Sequence, residues 1–186
     1  MKFFHVCLIV LGTAAIFCVP GVVFSFDEAV MQFRSVEDPD VPADMAVCTN
    51  APFYDPDNPP NVLLGASLWS SEARASDGTV MNDEIRRIGT AHACALITSL
   101  APGAEAPFYI ELTAGDQFFR ADGECRVTSN AIPQPGLILA GCSLKIQEDL
   151  SAGLMGGIAT SNSVFNPFGL SGFQTGSIWM VHIYRQ

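Results

Sequence analysis

The chain has 186 residues, a hydrophobic fraction of 49%, six cysteines and a formal net charge of −10. An acidic balance of this kind repels phosphate backbones and anionic lipids, which excludes nucleic-acid binding and strong docking on anionic membranes. Lys145 is the only lysine after residue 25, so a lysine-rich binding patch is excluded as well.

The first 25 residues are typical of a secretory signal peptide. Lys2 is followed by a mostly apolar run over residues 3–24, and Ser25 stands just before an acidic start. An uncleaved membrane anchor is the alternative, because about 20 apolar residues can span a bilayer. Pro20 interrupts the run and favours cleavage, while the bulky residue before Cys18 disfavours a lipoprotein. Cleavage predicts a secreted or periplasmic protein with disulfide-bonded cysteines.

Residues 26–60 are rich in aspartate and proline. Proline removes backbone donors and restricts the residue before it, so this composition predicts an extended N-terminal arm rather than a helix or central strand. From residue 61 onward, short apolar segments alternate with turn signals. We therefore expect three units: a signal peptide at 1–25, the arm at 26–60 and a β-barrel domain at 61–186.

Seven runs in this last unit are typical of strands, and none shows the periodicity of an amphipathic helix. They cover residues 62–75, 85–99, 108–113, 117–129, 137–147, 151–165 and 173–184. A turn is predicted at 76–78, after the first run. The third run is expected to begin at Phe108, because Pro107 has no N–H to donate to a neighbouring strand. Short turns between the runs predict an all-β antiparallel meander. Closure into a roughly eight-stranded barrel would hide the edges, with the eighth strand from the arm or from a split second run; a sandwich is the alternative.

Four cysteines remain after cleavage, and they allow three pairings. Cys125 and Cys142 lie almost equally far from the proline turn near Pro133, so they should face each other across one hairpin. An intervening strand would separate Cys94 from Cys125. The sequence therefore predicts the disulfides Cys125–Cys142 and Cys48–Cys94, the second of which pins the arm to the barrel. Free buried thiols that pack as small hydrophobic residues are the alternative.

Candidate catalytic residues are Glu111 and His92. Glu111 shares a polar strand face with Tyr109, a candidate ligand-binding residue, and the turn between the second and third strands places His92 near Glu111. If this face points into the barrel, Glu111 is a buried carboxylate suited to proton transfer. If it points outward, which is usual for a lone glutamate, Glu111 is a surface acid. His182 is the other histidine after residue 25. A histidine on a strand is more often packed or hydrogen-bonded than catalytic, and this is the alternative for both.

A near-repeat provides further candidate residues. Residues 128–130 and 160–162 both read Thr-Ser-Asn and precede a proline-glycine turn. These residue types commonly cap turns. At the mouth of a barrel they would instead form a polar rim, with Asn130, Ser161 and Asn162 orienting a small polar ligand.

Motifs for metals, phosphates and common hydrolases are absent from the sequence, so no metal or cofactor is predicted. The segments 89–91, 108–111 and 117–123, with Cys94, resemble the strand order of allene oxide cyclase and dirigent-type barrels. The resemblance implies an eight-stranded barrel that holds oxygenated hydrophobic molecules and guides their cyclisation or coupling. It also implies an acidic residue in the lumen, for which Glu111 is the candidate. The Gly-Gly-Thr-Gly segment of such barrels is missing, and residues 156–159 are its nearest counterpart.

Three functions follow as hypotheses, the first being a secreted barrel that binds an apolar or amphipathic small molecule. The second is an isomerase, cyclase or dirigent-like enzyme that uses a lumen carboxylate. The third is a structural or interaction module of the cell envelope, which one exposed patch of Phe165, Phe168 and Phe173 would favour.

Overall fold

The structure of the protein is a computed structural model. It describes residues 27–70 and 85–186 in full, together with the backbone of four short strands that pair as His5–Cys7 with Cys18–Pro20 and Ala73–Arg74 with Val80–Asn82. The predicted signal peptide at 1–25 and the turn predicted at 76–78 lie outside the fully described residues.

Eight antiparallel strands close into a barrel, and each pairs with its neighbours in the sequence. They are β1 (Asp27–Glu37), β2 (Val62–Ser70), β3 (Arg87–Ala95), β4 (Glu105–Ala114), β5 (Gln117–Ser129), β6 (Ile138–Ile146), β7 (Leu154–Phe165) and β8 (Gly176–Arg185). Ten residue pairs between β8 and β1 complete the ring. The all-β meander barrel is therefore confirmed. The described helices, α1 (Met45–Cys48) and the 3-10 turn Leu150–Ala152, are too short to cross a membrane.

The first barrel strand lies within the segment predicted as an extended arm. β1 alternates exposed residues with the buried, inward-facing Phe33 and Ser35, which is the pattern of a strand with one buried face. The barrel consequently begins at Asp27 rather than at residue 61. The eighth strand comes from the N-terminal segment, which is one of the two sources that the sequence allows.

Residues 38–61, which we call the covering segment, run from β1 to β2 across the outer face of the barrel. The Asp38 N–H donates to the Gly65 carbonyl at 3.1 Å, and the Asp38 carboxylate accepts a hydrogen bond from Ser67. Gly65 is needed at this point because a Cβ there would collide with the Val41 carbonyl. The segment is thus packed against β2 and is tied further along to β3 through Cys48.

Strand β4 begins at Glu105, three residues before the predicted start at Phe108. The prediction is wrong because Pro107 lies beyond the last paired residue of β3, where Ala95 faces Phe108. The Pro107 carbonyl still accepts from the Leu96 N–H at 3.2 Å. A missing donor costs little where the neighbouring strand has already ended.

Both predicted disulfides are confirmed. Cys125 and Cys142 face each other directly in the β5–β6 ladder, with their Cα atoms 4.0 Å apart. Cys48 and Cys94 join the covering segment to β3, with a Cα separation of 5.7 Å. Disulfides persist in oxidising compartments, so the pair fits an extracellular or periplasmic protein.

The barrel interior differs between its two ends. We call the end that contains Glu37 and Gly176 the upper end, and the end that contains Asp27 and Arg185 the lower end. Bulky apolar side chains fill the middle and lower interior, including Phe33, Leu68, Leu112, Phe119, Leu144, Ile146, Leu154 and Ile183. Smaller side chains predominate in the upper interior, including Ala95, Ala106, Cys125, Ala140, Cys142, Ser163 and Ser177. The lumen is therefore packed below and partly hollow above.

Candidate functional site

An apolar cavity of about 90 Å³ lies inside the upper half of the barrel. Its wall combines the Cys125–Cys142 disulfide with lumen-facing apolar side chains, including Leu64, Ala95, Ala106, Phe108, Val127, Ile138, Ala140 and Phe165. Drug-sized ligands occupy pockets of about 300–1,000 Å³. The cavity therefore suits a single ring or a short branched chain.

Three serine hydroxyls form a chain along this wall. Ser177 Oγ donates to Ser163 Oγ at 2.7 Å, and the hydroxyl oxygens of Ser163 and Ser161 lie 2.9 Å apart. Ser163 and Ser177 line the cavity, whereas the predicted residue Ser161 lies one step deeper on the same lumen face. Because hydroxyl hydrogens rotate, such a chain can present either a donor or an acceptor to a bound molecule.

A second lumen cavity of about 40 Å³ adjoins the first. The two cavities share Leu64, Phe108, Thr175 and Ser177. Glu37, the last residue of β1, lines the smaller cavity and is the only carboxylate among the described residues that line either one. It is exposed at the rim, so the upper lumen has an acidic edge.

An open groove of about 430 Å³ runs along the upper rim, between the covering segment and the loop that joins β7 to β8. Thr175 lines this groove and both lumen cavities, and Glu37 lines the groove and the smaller cavity. The Asn166 N–H donates to Thr175 Oγ1 at 3.2 Å, while its side-chain amide donates to the carbonyls of Leu170 and Phe173, each at 3.0 Å. The rim is thus fixed by hydrogen bonds at the point where groove and lumen meet.

The predicted catalytic residues Glu111 and His92 face each other across β3 and β4, as the turn between these strands predicts. They lie on the outside of the barrel, because Ile110 and Leu112 on either side of Glu111 point into the core. Glu111 is consequently not a lumen carboxylate. The Nδ1 atom of His92 is buried and has no hydrogen-bond partner among the described residues, so no hydrogen bond from this atom makes a catalytic pair with Glu111.

Glu111 instead ties the covering segment to the sheet. Its Oε1 accepts hydrogen bonds from Tyr109 Oη at 2.7 Å and Asn50 Nδ2 at 2.9 Å, and Arg120 Nε lies 3.3 Å away. The glutamate side chain is only 13% exposed. The pKa of Tyr109 is raised, mainly by burial and secondly by its hydrogen bond to Glu111. The sequence predicts that Tyr109 binds a ligand, but its hydroxyl is already bonded to Glu111. These groups already satisfy one another, so they form a structural anchor.

The Thr-Ser-Asn repeats lie near the upper end, but their asparagines do not line the lumen. Asn130 Nδ2 donates to the Leu100 carbonyl at 3.2 Å and thereby joins two loops. Asn162 is exposed on the outer face, where it and Thr128 line a second open groove of about 500 Å³. Ser161 is the one predicted rim residue that faces the lumen.

His182 and the three phenylalanines of the predicted exposed patch lie in different parts of the barrel. His182 lies on the outer face, with its Nδ1 atom 3.2 Å from Glu28 Oε1. Phe165 lines the lumen cavity, Phe173 lines the rim groove and Phe168 is 67% exposed. The three phenylalanines thus form no common exposed patch, which removes the observation that would favour an envelope module.

Sequence reasoning missed Ser163, Thr175, Ser177 and Glu37. The sequence pattern that indicates a hollow lumen is a run of small residues at alternate positions, such as Ala91, Ala93 and Ala95 in β3. Alternation places such residues on one face, and small side chains on the inner face of a barrel leave space.

Comparisons of the chain with protein-family models, with curated proteins and with solved structures find no match. The resemblance to allene oxide cyclase and dirigent-type barrels therefore stays a prediction. The chemistry of the site rests on its own geometry: an apolar cavity, a chain of hydroxyls and the Glu37 carboxylate where the groove meets the lumen.

Proposed function

We propose that the protein is a secreted barrel that binds a small amphipathic molecule at the upper end of its lumen. One observation carries the proposal: an apolar cavity whose wall bears the paired Ser163 and Ser177 hydroxyls meets an open rim groove at Thr175. Ligand sites commonly combine an apolar wall with a few fixed polar groups. The disulfides support an oxidising compartment, and we propose that residues 1–25 are removed as a signal peptide during export.

The two compartments define the class of ligand. A cavity of about 90 Å³ accepts a ring or short chain as the apolar end, and the larger groove accepts a polar end close to Thr175 and Glu37. Glu37 repels an anionic head group and favours one that donates hydrogen bonds, since a carboxylate only accepts them. A neutral hydroxylated ligand fits both compartments.

Titration with p-cresol, a ring that carries one hydroxyl, tests this proposal. We expect saturable binding by calorimetry and chemical-shift changes at residues lining the cavity. Ala140→Leu adds bulk to the cavity wall and should weaken binding about tenfold or more, which corresponds to about 1.4 kcal/mol. Ser143→Leu makes a similar addition to an exposed position on the same strand and should leave binding unchanged. Absence of saturable binding, or equal affinity in the two variants, would contradict the proposal.

An isomerase or cyclase is the second candidate, and the position of Glu37 favours it. The lumen carboxylate expected at position 111 is on the outer face, so Glu37 is the acid available to a molecule in the upper lumen. Ligand extracted from the secreted protein after incubation distinguishes the two functions. An enzyme yields a rearranged product of unchanged mass that the Glu37→Gln variant does not form, whereas a binding protein releases its ligand unaltered.

A further inference from the structure

The outer surface of the barrel carries an apolar patch that no other described segment covers. Five large apolar side chains on β1, β7 and β8 are between 41% and 56% exposed. We call them the outer patch: Val30, Ile158, Ile178, Met180 and Tyr184. Pairing aligns them, since Ile158 and Val30 flank His182 in one row across the three strands. His182 stands between Ile158 and Val30, so polar side chains interrupt the patch. Scattered exposed apolar residues are ordinary, but five on three adjacent strands indicate an interaction site.

Charges at the two ends of the patch indicate what covers it. Along the exposed side of β1, Glu28 lies at the lower end and Arg34 at the upper end, six residues apart. Consider two copies packed face to face about a two-fold axis that lies in the interface and crosses the strands at the level of Met31 and Val181. The axis reverses the strand direction, so Arg34 of each copy comes to lie over Glu28 of the other.

The same operation pairs Ile178 with Tyr184, while Met180 comes to lie over His182 of the other copy. Ile178 lies three residues above Val181 and Tyr184 lies three residues below it, so each packs on the other across the axis. A surface that is complementary to itself under a two-fold rotation is the requirement for an isologous dimer. We propose that the outer patch is the interface of a homodimer in which β8 packs on β8 in antiparallel orientation.

The size of the patch sets the strength expected. Seven residues at about 3.3 Å each, over three strands spaced about 4.8 Å apart, cover about 300–400 Å² per copy with their side chains. Interfaces of this size belong to weak, transient complexes. The dimer should therefore form only at high protein concentration. Added salt screens the repulsion between two copies of net charge −10 as well as the Arg34–Glu28 pairs, so the ionic strength is held constant in the test.

Sedimentation velocity over a concentration series, at physiological ionic strength, tests the dimer. We expect the native chain to shift from monomer to dimer. Met180→Glu places a charge in the interface and should raise the dissociation constant about tenfold or more. Phe118→Glu changes a residue that is 47% exposed on β5, which neighbours none of the three strands of the patch, and it should leave association unchanged. A chain that stays monomeric, or equal effects of the two variants, would overturn the proposal and assign the patch to a different partner.

Charge reversal tests the orientation of the two copies. Arg34→Glu and Glu28→Arg each place like charges opposite one another, so each single variant should associate more weakly than the native chain. The double variant restores opposite charges at both ends and should recover dimerisation. Both positions are exposed, but Glu28→Arg also removes the contact with His182 within each copy. Circular dichroism therefore checks that the fold is unchanged. Failure of the double variant to recover would refute the antiparallel arrangement.

Discussion

Loss of the Cys48–Cys94 disulfide should destabilise the protein more than loss of Cys125–Cys142. The first pair closes a separation of 46 residues and the second a separation of 17. Loop-closure entropy then gives about 4 kcal/mol for the long loop and about 3 kcal/mol for the short one at 25 °C. Each pair is replaced by two alanines, which remove the same two sulfur atoms, and chain entropy contributes about 1 kcal/mol to the difference. Cys48 and Cys94 are also the more deeply buried pair, which adds to the loss in the same direction.

Urea titration of the native chain and of the two double-alanine variants measures these free energies of unfolding. The comparison requires equal slopes of free energy against urea, because a changed slope signals a changed denatured or native state. The expected order is native, then the variant without Cys125–Cys142, then the variant without Cys48–Cys94. The entropic reasoning is refuted if loss of the short-loop disulfide costs as much as loss of the long-loop disulfide or more.

Two further predictions concern the covering segment and its anchor. Gly65→Ala should destabilise the protein by about 1–3 kcal/mol, because the new methyl group would collide with the Val41 carbonyl. Gly141→Ala, whose methyl group would lie at an ordinary 3.7 Å from its nearest neighbour, should be neutral or slightly stabilising in thermal denaturation, and equal losses would contradict the packing argument. The pKa of Tyr109 is raised above its ordinary value of 10.0 in the folded state. Its contribution to the free energy of unfolding is therefore complete below pH 10 and declines as the pH rises further. Tyr109→Phe should flatten the alkaline loss of stability that pH-dependent urea titration measures, and an unchanged pH dependence would contradict this role of Tyr109.

The sequence predicts the hairpins of this barrel well where turn chemistry fixes the register. The strand at 117–129 was predicted with its observed bounds, and the turn near Pro133 correctly placed Cys125 opposite Cys142. Strand neighbours in a meander are neighbours in sequence, so short turns determine most contacts. The same reasoning correctly brought His92 next to Glu111.

Long-range packing explains what the sequence could not show. β1 pairs with β8 at the far end of the chain, and its acidic residues at positions 27 and 28 obscure its alternation. Glu111 faces outward as a lone glutamate usually does, but its side chain is only 13% exposed because Asn50 of the covering segment lies over it. No local pattern around Glu111 encodes a cover that comes from 61 residues away.

The hollow upper lumen has a thermodynamic cost that the cross-links can offset. At about 24 cal/mol per Å³, a cavity of about 90 Å³ lowers stability by about 2 kcal/mol relative to a filled core. The disulfide in the wall of that cavity contributes about 3 kcal/mol by closing its hairpin. Small residues such as Ala140 and Ser163 can therefore stand where larger side chains would pack better. Under the proposed function, a ligand occupies this space beside the paired hydroxyls.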